Sequence, residues 1–405
     1  MNVLLSAYAC APGKGSEPEI GWSWMQQVSR VHDVWVITRA SKRERVEEGL
    51  RREPSPRAHF IYVDLPRPLR FFKHWPGGVY IYYYIWQFLA YLKARQLHRQ
   101  IGFGLVHHVT FCMYWLPSFM AMLDVPFVWG PVGGGESAPK TFRRTFTVRG
   151  RIYETLRDLA QVLGTIDPAV RMTARRSTLA LATTQQSAER LRALGCKRVR
   201  VLTAVGVSQE ELNEIIPCEH RPAERLRMVS AGRLLHWKGF HLALEAIARV
   251  RDTVPSLEYW IYGEGAERES LEKLVKQLGI SDRVHLCDAI PREQLMREMV
   301  DFDVLLHPSL HDSGAFVCVE AMTAGCAVVC LDVGGPAIQV TEETGIKIAA
   351  LSPEQTIRDL AAAIEKLAGD SDFRHGLARA ARERAQNVFA WEKRVDSLPE
   401  VYAQA

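Results

Sequence analysis

Residues 304–340 read VLLHPSLHDSGAFVCVEAMTAGCAVVCLDVGGPAIQV, and they give the clearest indication of how the chain folds. It begins as an apolar strand and continues as a polar loop that contains Asp312. A short helix is predicted to open at Phe316 with Glu320 near its start, and a second apolar strand follows at 327–331. Two apolar strands joined by a helix are typical of a parallel α/β sheet. Asp312 and Glu320 would then lie at the carboxyl end of a strand, where open α/β sheets bind ligands.

The rest of the chain shows the same alternation of strands and helices. The predicted strands are 3–7, 34–37, 60–63, 105–108, 127–129, 179–183, 199–202, 227–231, 258–262, 284–286, 304–307 and 327–331. Helical patterns include 241–251, 267–278, 293–299 and 374–402, the last with a break near 387–391. Such alternation predicts βαβ units and parallel sheets. We therefore expect an α/β fold with two domains, at 1–208 and 226–388, joined by a polar, acidic linker at 209–225.

Size and composition restrict the class of protein. With 405 residues and 47% hydrophobic composition, the chain can form two or three domains. Its eight cysteines are scattered without zinc-site spacing, which favours a reducing cytoplasm over a disulfide scaffold. Residues 2–8 are interpreted as the first strand rather than a secretion signal. No segment reaches the roughly eighteen apolar residues of a membrane-spanning helix, and we expect a cytoplasmic protein.

Positive charge is concentrated in the first half, although the formal net charge is only +5. Between Asp64 and Asp124 there is no acidic residue, and basic residues exceed acidic ones strongly at 140–176. This half is therefore predicted to meet an anionic partner or surface. We expect no nucleic-acid partner.

An apolar, aromatic segment at 79–92 raises the question of membrane contact. It is preceded by a basic and aromatic stretch at 70–75 and followed by Lys93, Arg95 and Arg99. Aromatic residues beside cations favour the headgroup region of a bilayer. The alternative is a buried helix with solvated ends. Together with the basic run at 140–151, the pattern favours peripheral attachment to anionic lipid on the inner face of the cytoplasmic membrane.

A second motif predicts an anion site. The strand at 227–231 ends at Gly232 and Arg233, and Lys238 precedes the next helix. Amide donors at a helix N-terminus attract anions, and an arginine adds a bidentate fork, so these residues suit a pyrophosphate. The alternative is an ordinary surface arginine and lysine beside a helix.

The two motifs together resemble a known family. The matching residues, in order, are Gly232, Arg233, Leu234, Lys238, Gly239, Glu320, Ala321, Met322, Gly325, Val328, Val329, Gly334 and Gly335. They resemble the retaining nucleotide-sugar glycosyltransferases of the GT-B type, family 4-like or glycosyl transferases group 1, which include sucrose synthases and lipopolysaccharide mannosyltransferases. The family's first acid is Glu, and here it is Asp312.

The resemblance implies two facing Rossmann-like domains with the active site in the cleft between them, and a helix at 389–405 that crosses back to the first domain. The co-substrate would be a UDP- or GDP-linked sugar, with no cofactor and no metal. Arg233 and Lys238 would bind the diphosphate, Glu320 the ribose hydroxyls and Asp312 the donor sugar. The full set of implied donor-binding residues is Gly15, Ser16, Gly232, Arg233, Lys238, Ala289, Ile290, Gly314, Ala315, Phe316 and Glu320.

Asp312 is one candidate catalytic residue, and further candidates lie in the first half, on the acceptor side. Many relatives carry a histidine next to the reacting sugar, at the position where this chain has Gly130. One of His107 and His108 could replace it near the acceptor, or both could belong to the core. Glu136 is a candidate to position or deprotonate the acceptor hydroxyl.

These observations predict a retaining glycosyltransferase that moves a sugar onto a saccharide acceptor, such as a lipid-linked precursor of a bacterial surface polysaccharide. Two alternatives stay open. One is a catalytically inactive relative that binds a glycan or partner. The other is a sugar-nucleotide epimerase or phosphorylase on the same scaffold.

Overall fold

The computed structural model describes residues 1–13, 15–66, 69–70, 77–217, 225–395 and 398–403. Most of the basic and aromatic stretch at 70–75, and part of the predicted linker, lie outside these residues. The chain forms two compact units. The first contains Met1–Gly135, Arg157–Ala204 and Arg394–Ala405, and the second contains Glu136–Leu156 and Val205–Lys393.

The strands follow the apolar runs of the sequence. They are β1 (Asn2–Ala7), β2 (Asp33–Arg39), β3 (Ala58–Val63), β4 (Leu105–Thr110), β5 (Phe127–Val132), β6 (Leu179–Ala182), β7 (Val199–Val201), β8 (Leu226–Ala231), β9 (Leu257–Tyr262), β10 (Val284–Cys287), β11 (Val304–His307), β12 (Ala327–Leu331) and β13 (Gly345–Ile348).

Helices follow most strands. They are α1 (Ser16–Ser29), α2 (Arg43–Arg52), α3 (Gly78–Ile101), α4 (Val148–Ile166), α5 (Pro168–Arg176), α6 (Gln185–Leu194), α7 (Gln209–Glu214), α8 (Phe240–Arg249), α9 (Arg268–Leu278), α10 (Arg292–Met299), α11 (Phe316–Thr323), α12 (Gly334–Gln339), α13 (Pro353–Gly369), α14 (Ser371–Arg384), α15 (Trp391–Val395) and α16 (Leu398–Ala403).

Each unit is built on a parallel sheet, as the alternation predicted. The strand order is β3-β2-β1-β4-β5-β6-β7 in the first unit and β10-β9-β8-β11-β12-β13 in the second. In both sheets the described strand pairs are parallel. The order reverses direction between β1 and β4 and between β8 and β11, and such switch points are where doubly wound sheets bind ligands.

The second sheet is buried on both faces. Met228, Leu306 and Val329 belong to one apolar cluster, whereas their neighbours Leu305 and Val328 belong to another. Successive side chains of a strand point to opposite faces, so continuous apolar runs place one cluster on each side of the sheet. The aromatic core of the first unit includes Tyr83, Trp86 and Trp129.

Two elements and the position of one residue differ from expectation. The edge strand β13 was not predicted, and Gln209–Glu214 in the predicted linker forms α7. Glu320 is the fifth residue of α11, so the prediction that it lies near the start of the helix was wrong. Among the described helices, none combines the length and the apolar character that a membrane-crossing helix requires.

Candidate active site

A glycine turn follows β8 at the switch point of the second sheet. Gly232 has a φ of 149°, and its amide donates to the Tyr262 carbonyl at 3.0 Å. A Cβ on Gly263 would overlap the Gly232 carbonyl oxygen, and one on Gly265 would overlap that of Leu234. The Gly-x-Gly sequence after β9 therefore lets two turns pack backbone to backbone, which is a structural role.

The two predicted cations follow this turn. The Arg233 side chain is exposed, and Lys238 ends a short 3-10 turn, His236–Lys238, that leads into α8. Gly239 has a φ of 68° and packs so tightly against the Pro308 carbonyl that a Cβ would overlap it. The close contact fixes the loop after β8 against the loop after β11. Lys238 Nζ forms an ion pair with Asp312 across these loops.

Asp312 organises its own loop. One carboxylate oxygen, Oδ2, pairs with Lys238 and lies 3.5 Å from His307 Nε2, and the other, Oδ1, accepts from the Ala315 amide at 3.0 Å. Burial alone would raise the pKa of Asp312, but Lys238 and His307 hold it well below its usual value. The carboxylate therefore stays ionised at neutral pH, and its negative charge attracts the ammonium group of Lys238.

The loop after β11 has a strained residue and a tightly packed neighbour. Ala315, at the N-cap of α11, has a φ of 44°, a left-handed conformation that is uncommon for a residue with a Cβ. The amide of Gly335 donates to the Asp312 carbonyl at 2.7 Å. Side chains at Gly334 or Gly335 would overlap the carbonyls of Asp312 and Ser313. The Gly-Gly pair of the sequence motif thus supports the shape of the Asp312 loop.

Glu320 is buried and paired. Its Oε1 accepts from Arg292 Nε at 2.6 Å, and Arg292 also forms an ion pair with Glu211 of α7. Burial raises the pKa of Glu320, and the neighbouring Arg292 opposes that effect. The sequence analysis missed Arg292 and Glu211, since both are distant from Glu320 in sequence. One signal was readable: Ser208 and Glu211 form a capping box at the start of α7.

Glu136 lies beside the Asp312 loop in the second unit. It is 3% exposed and accepts a hydrogen bond from the Ser313 hydroxyl, beside Asp312. Ala289 is exposed and Ile290 half-buried in the loop after β10. In this unit the structure brings Lys238, Asp312 and Glu136 to one group of loops.

A buried glutamate that the sequence did not predict also ties these loops together. Glu154 of α4 is fully buried and lies 3.0 Å from His236 Nε2 and 3.2 Å from His311 Nε2. Trp237 stacks between His311 and Tyr153. His236 and His311 belong to the loops that carry Lys238 and Asp312, so Glu154 supports both. No local pattern could reveal contacts over such sequence separations.

The two histidines of β4 are core residues with satisfied rings. His107 Nε2 donates to the Gly130 carbonyl at 2.7 Å, and Nδ1 accepts from the Tyr402 hydroxyl at 3.0 Å. His108 lies 3.0 Å from both Ser6 Oγ and the Tyr83 hydroxyl. Burial lowers the pKa of His107 to about 4 and that of His108 to about 3. These contacts favour the core role over a role beside the acceptor.

The other predicted residues of the first unit lie at the start of α1. Gly15 has a φ of 57° and is the N-cap of the helix, which begins at Ser16. The nearby Glu17 accepts from the Phe111 amide at 2.7 Å, and burial raises its pKa. Phe111 itself has a φ of 59°. The loop after β1 is therefore tied to the loop after β4 at the switch point of the first sheet.

Comparison with known proteins agrees with this geometry. Residues 213–384, which include all of these second-unit loops except the Glu136 region, match the profile described as "Glycosyl transferases group 1". This part of the chain is therefore similar to the glycosyl transferases group 1 family. It is 29% identical over 225 residues to the lipopolysaccharide core biosynthesis glycosyltransferase LpsE of Rhizobium meliloti, covering 53% of this chain and 61% of that protein. The matches to three curated relatives cover 40%, 44% and 61% of the length of those proteins.

Solved structures share the fold over the whole chain. The sucrose-phosphate synthase of Thermosynechococcus elongatus has a TM-score of 0.65 and 19% identity, covering 100% of this chain and 98% of that one. Anabaena Alr3699/HepE in complex with UDP-glucose has a TM-score of 0.61 and 17% identity, covering 100% of both chains. The two parallel-sheet units of this chain thus have the GT-B fold.

Proposed function

We propose that this protein is a retaining, metal-independent glycosyltransferase that moves a sugar from a nucleotide diphosphate sugar onto a saccharide acceptor. The acceptor is a lipid-linked precursor of a bacterial surface polysaccharide, and the enzyme works at the inner face of the cytoplasmic membrane. The match of residues 213–384 to the family profile supports the reaction class, and the similarity to a lipopolysaccharide core enzyme supports the acceptor class. The complex of Alr3699/HepE with UDP-glucose supports a UDP-linked donor, with GDP as the alternative base.

One observation carries the proposal: Lys238 and Asp312 form an ion pair at the carboxyl edge of the second sheet, and Arg233 belongs to the same loop as Lys238. An ammonium has three donors, so Lys238 can hold a phosphate oxygen while it keeps Asp312. The exposed Arg233 adds a fork for the second phosphate. Cations placed where charge develops on a leaving diphosphate are the stabilisation that this reaction needs.

The proposed reaction exchanges one bond for another at the anomeric carbon. The bond from that carbon to the diphosphate oxygen breaks, and a bond to the acceptor oxygen forms on the same face of the sugar. The proton of the acceptor hydroxyl passes to the leaving phosphate oxygen, so no separate base is required. In this scheme Lys238 and Arg233 hold the leaving group, Glu320 holds the ribose, and Glu136 positions Ser313 and the acceptor.

Asp312 has a different part in this proposal from the one that the resemblance implied. Its two oxygens are engaged by Lys238 and by the Ala315 amide. We assign it to holding Lys238 and the loop backbone in place rather than to gripping the donor sugar. If the engagement of Asp312 leaves the donor sugar without a carboxylate partner, the same contacts favour the second candidate function, an inactive binder of glycans.

Slow hydrolysis of donors distinguishes the two functions. The chain is incubated with a panel of UDP-, GDP- and ADP-sugars, and release of the nucleoside diphosphate is measured. A transferase releases nucleotide from at least one donor, and Arg233→Ala or Glu320→Ala abolishes the release. Lys273→Ala is the matched control, because Lys273 is an exposed lysine paired with Glu269 on α9. No turnover with any donor supports the inactive binder.

A further inference from the structure

Helix α4 presents a continuous apolar face to the outside. Seven of its apolar side chains are each between 54% and 65% exposed. They are Val148, Ile152, Leu156, Leu159, Val162, Leu163 and Ile166. Their spacing of three and four residues puts them on one side of the helix over its whole length. Single exposed leucines are ordinary, but a contiguous stripe of this kind marks an interaction surface.

The opposite face of α4 is polar and packed against protein. Glu154 is fully buried beside His236 and His311, and Gln161 donates to the Gly134 carbonyl at 3.2 Å. Gly150 and Gly164 lie so close to His236 and Trp115 that a Cβ would overlap them. A surface helix in water has the reverse arrangement, with its apolar face turned inward. We therefore expect the exposed face of α4 to contact an apolar environment in the functioning protein.

The charges beside this face are positive. Arg149 and Arg151 are exposed on α4, and Lys140 is exposed in the turn before it. Arg144 of that turn is also exposed but forms an ion pair with Glu354. Asp158 lies further along the helix and is half-buried. Basic residues at the rim of an apolar stripe complement anionic headgroups above an acyl layer.

Helix α3 has a second apolar face that extends the same kind of surface. Tyr80, Ile81, Phe88 and Leu92 are exposed, whereas Trp86 and its neighbours are buried. The Tyr84 hydroxyl, on this outer side, donates to Asp167 at 3.2 Å, one residue beyond the end of α4. The exposed aromatic side of α3 thus continues from the C-terminal end of α4. Aromatic residues of this kind favour the bilayer interface.

We propose that α4 lies flat in an anionic lipid surface, with its apolar face at the boundary between headgroups and acyl chains and Arg149 and Arg151 at the headgroups. This assigns to one helix the membrane attachment that is part of the proposed function. A second copy of the chain fits the face less well. The nineteen residues of α4 give a helix of about 28 Å, and its stripe, about 10 Å wide, offers by itself about 300 Å², against the ~800 Å² per partner of stable interfaces.

Vesicle sedimentation of the full-length chain tests the proposal. The protein is mixed with vesicles of phosphatidylcholine alone or with added phosphatidylglycerol, and the bound fraction is measured. We expect binding to the anionic vesicles, and Leu159→Glu to weaken it by at least about tenfold. Leu351→Glu should bind like the wild type, because Leu351, which is 68% exposed compared with 54% for Leu159, lies outside α4. Arg149→Gln with Arg151→Gln should reduce the preference for anionic lipid.

Three results overturn the inference. The first is that the wild type does not bind anionic vesicles, and the second is that Leu159→Glu binds them as well as the wild type does. The third is a dimer, seen by light scattering, that dissociates in Leu159→Glu although the protein binds no vesicles. Thermal unfolding and donor hydrolysis without vesicles control for folding, and both should be unchanged in Leu159→Glu. Donor chemistry and lipid binding are thereby measured separately, so vesicle binding without any donor turnover would refute the proposed glycosyl transfer and leave this inference standing.

Discussion

At the scale of residues, the ion pair of Lys238 with Asp312 joins the loops after β8 and β11. The two side chains are 16% and 17% exposed, so solvent screens the pair only in part. Asp312→Asn would leave the ammonium without its charge partner. We expect the free energy of unfolding of the second unit to fall by about 2 kcal/mol, measured by urea denaturation. Asp282→Asn, at an exposed aspartate paired with Arg283, should change it by less than about 0.5 kcal/mol. Equal effects of the two substitutions would contradict the assigned role.

The buried histidines predict a pH dependence of stability. The pKa values of His107 and His108 are lowered to about 4 and about 3 by burial, whereas an unfolded histidine titrates near ~6.5. Below that pH the unfolded chain binds protons that the folded chain does not. Stability is therefore full above about pH 6.5 and decreases as the pH falls, by about 1 kcal/mol per pH unit for each histidine.

The check is urea unfolding of the wild type and of His108→Gln between pH 7 and pH 5. The glutamine variant should be less stable at pH 7, because it loses a buried hydrogen bond, but its stability should decrease less steeply with acid. Parallel pH profiles of the two proteins would show that His108 becomes protonated without unfolding, contrary to the burial argument.

At the scale of elements, the start of α12 supports the Asp312 loop through close backbone contact. Gly335→Ala would place a methyl group 2.6 Å from the Ser313 carbonyl oxygen. We expect a loss of about 2 kcal/mol of stability and weaker nucleotide binding, because the loop must shift. Gly376→Ala in α14 is the control: nothing lies within 4 Å of the new methyl, and a helical alanine should be neutral or stabilising. Thermal unfolding with and without nucleotide measures both effects, and a Gly335→Ala protein as stable as the control would refute the packing argument.

The elements also show what a sequence can and cannot predict. Long apolar runs such as β12 were predicted because they are buried on both faces. The strand β13, with the sequence GIKI, was missed because an edge strand with a glycine and a lysine has little apolar pattern. The apolar residues of α4 have the periodicity of an amphipathic helix, but this periodicity does not show which face packs against the rest of the protein. Only the contacts of Glu154 and Gln161 settle that.

At the scale of the whole molecule, the sequence predicted two parallel α/β units but not the order of their strands. The strand order depends on which strands pair after long connections, and the local hydrophobic pattern does not determine that pairing. The order matters for function because it places β8 beside β11 and so brings Lys238 to Asp312. The motif residues could be predicted to lie at strand ends, whereas the supporting contacts of Arg292 and Glu154 could not.

The proposed function requires that the loops after β8 and β11 bind the diphosphate of an activated sugar. Titration calorimetry of the chain with UDP, GDP and ADP measures this binding. We predict that at least one nucleotide binds, that Lys238→Ala weakens its binding by at least about tenfold, and that Lys273→Ala leaves the affinity unchanged. Absence of binding by all three nucleotides, or equal affinity in the Lys238→Ala protein, would refute a diphosphate site at these loops.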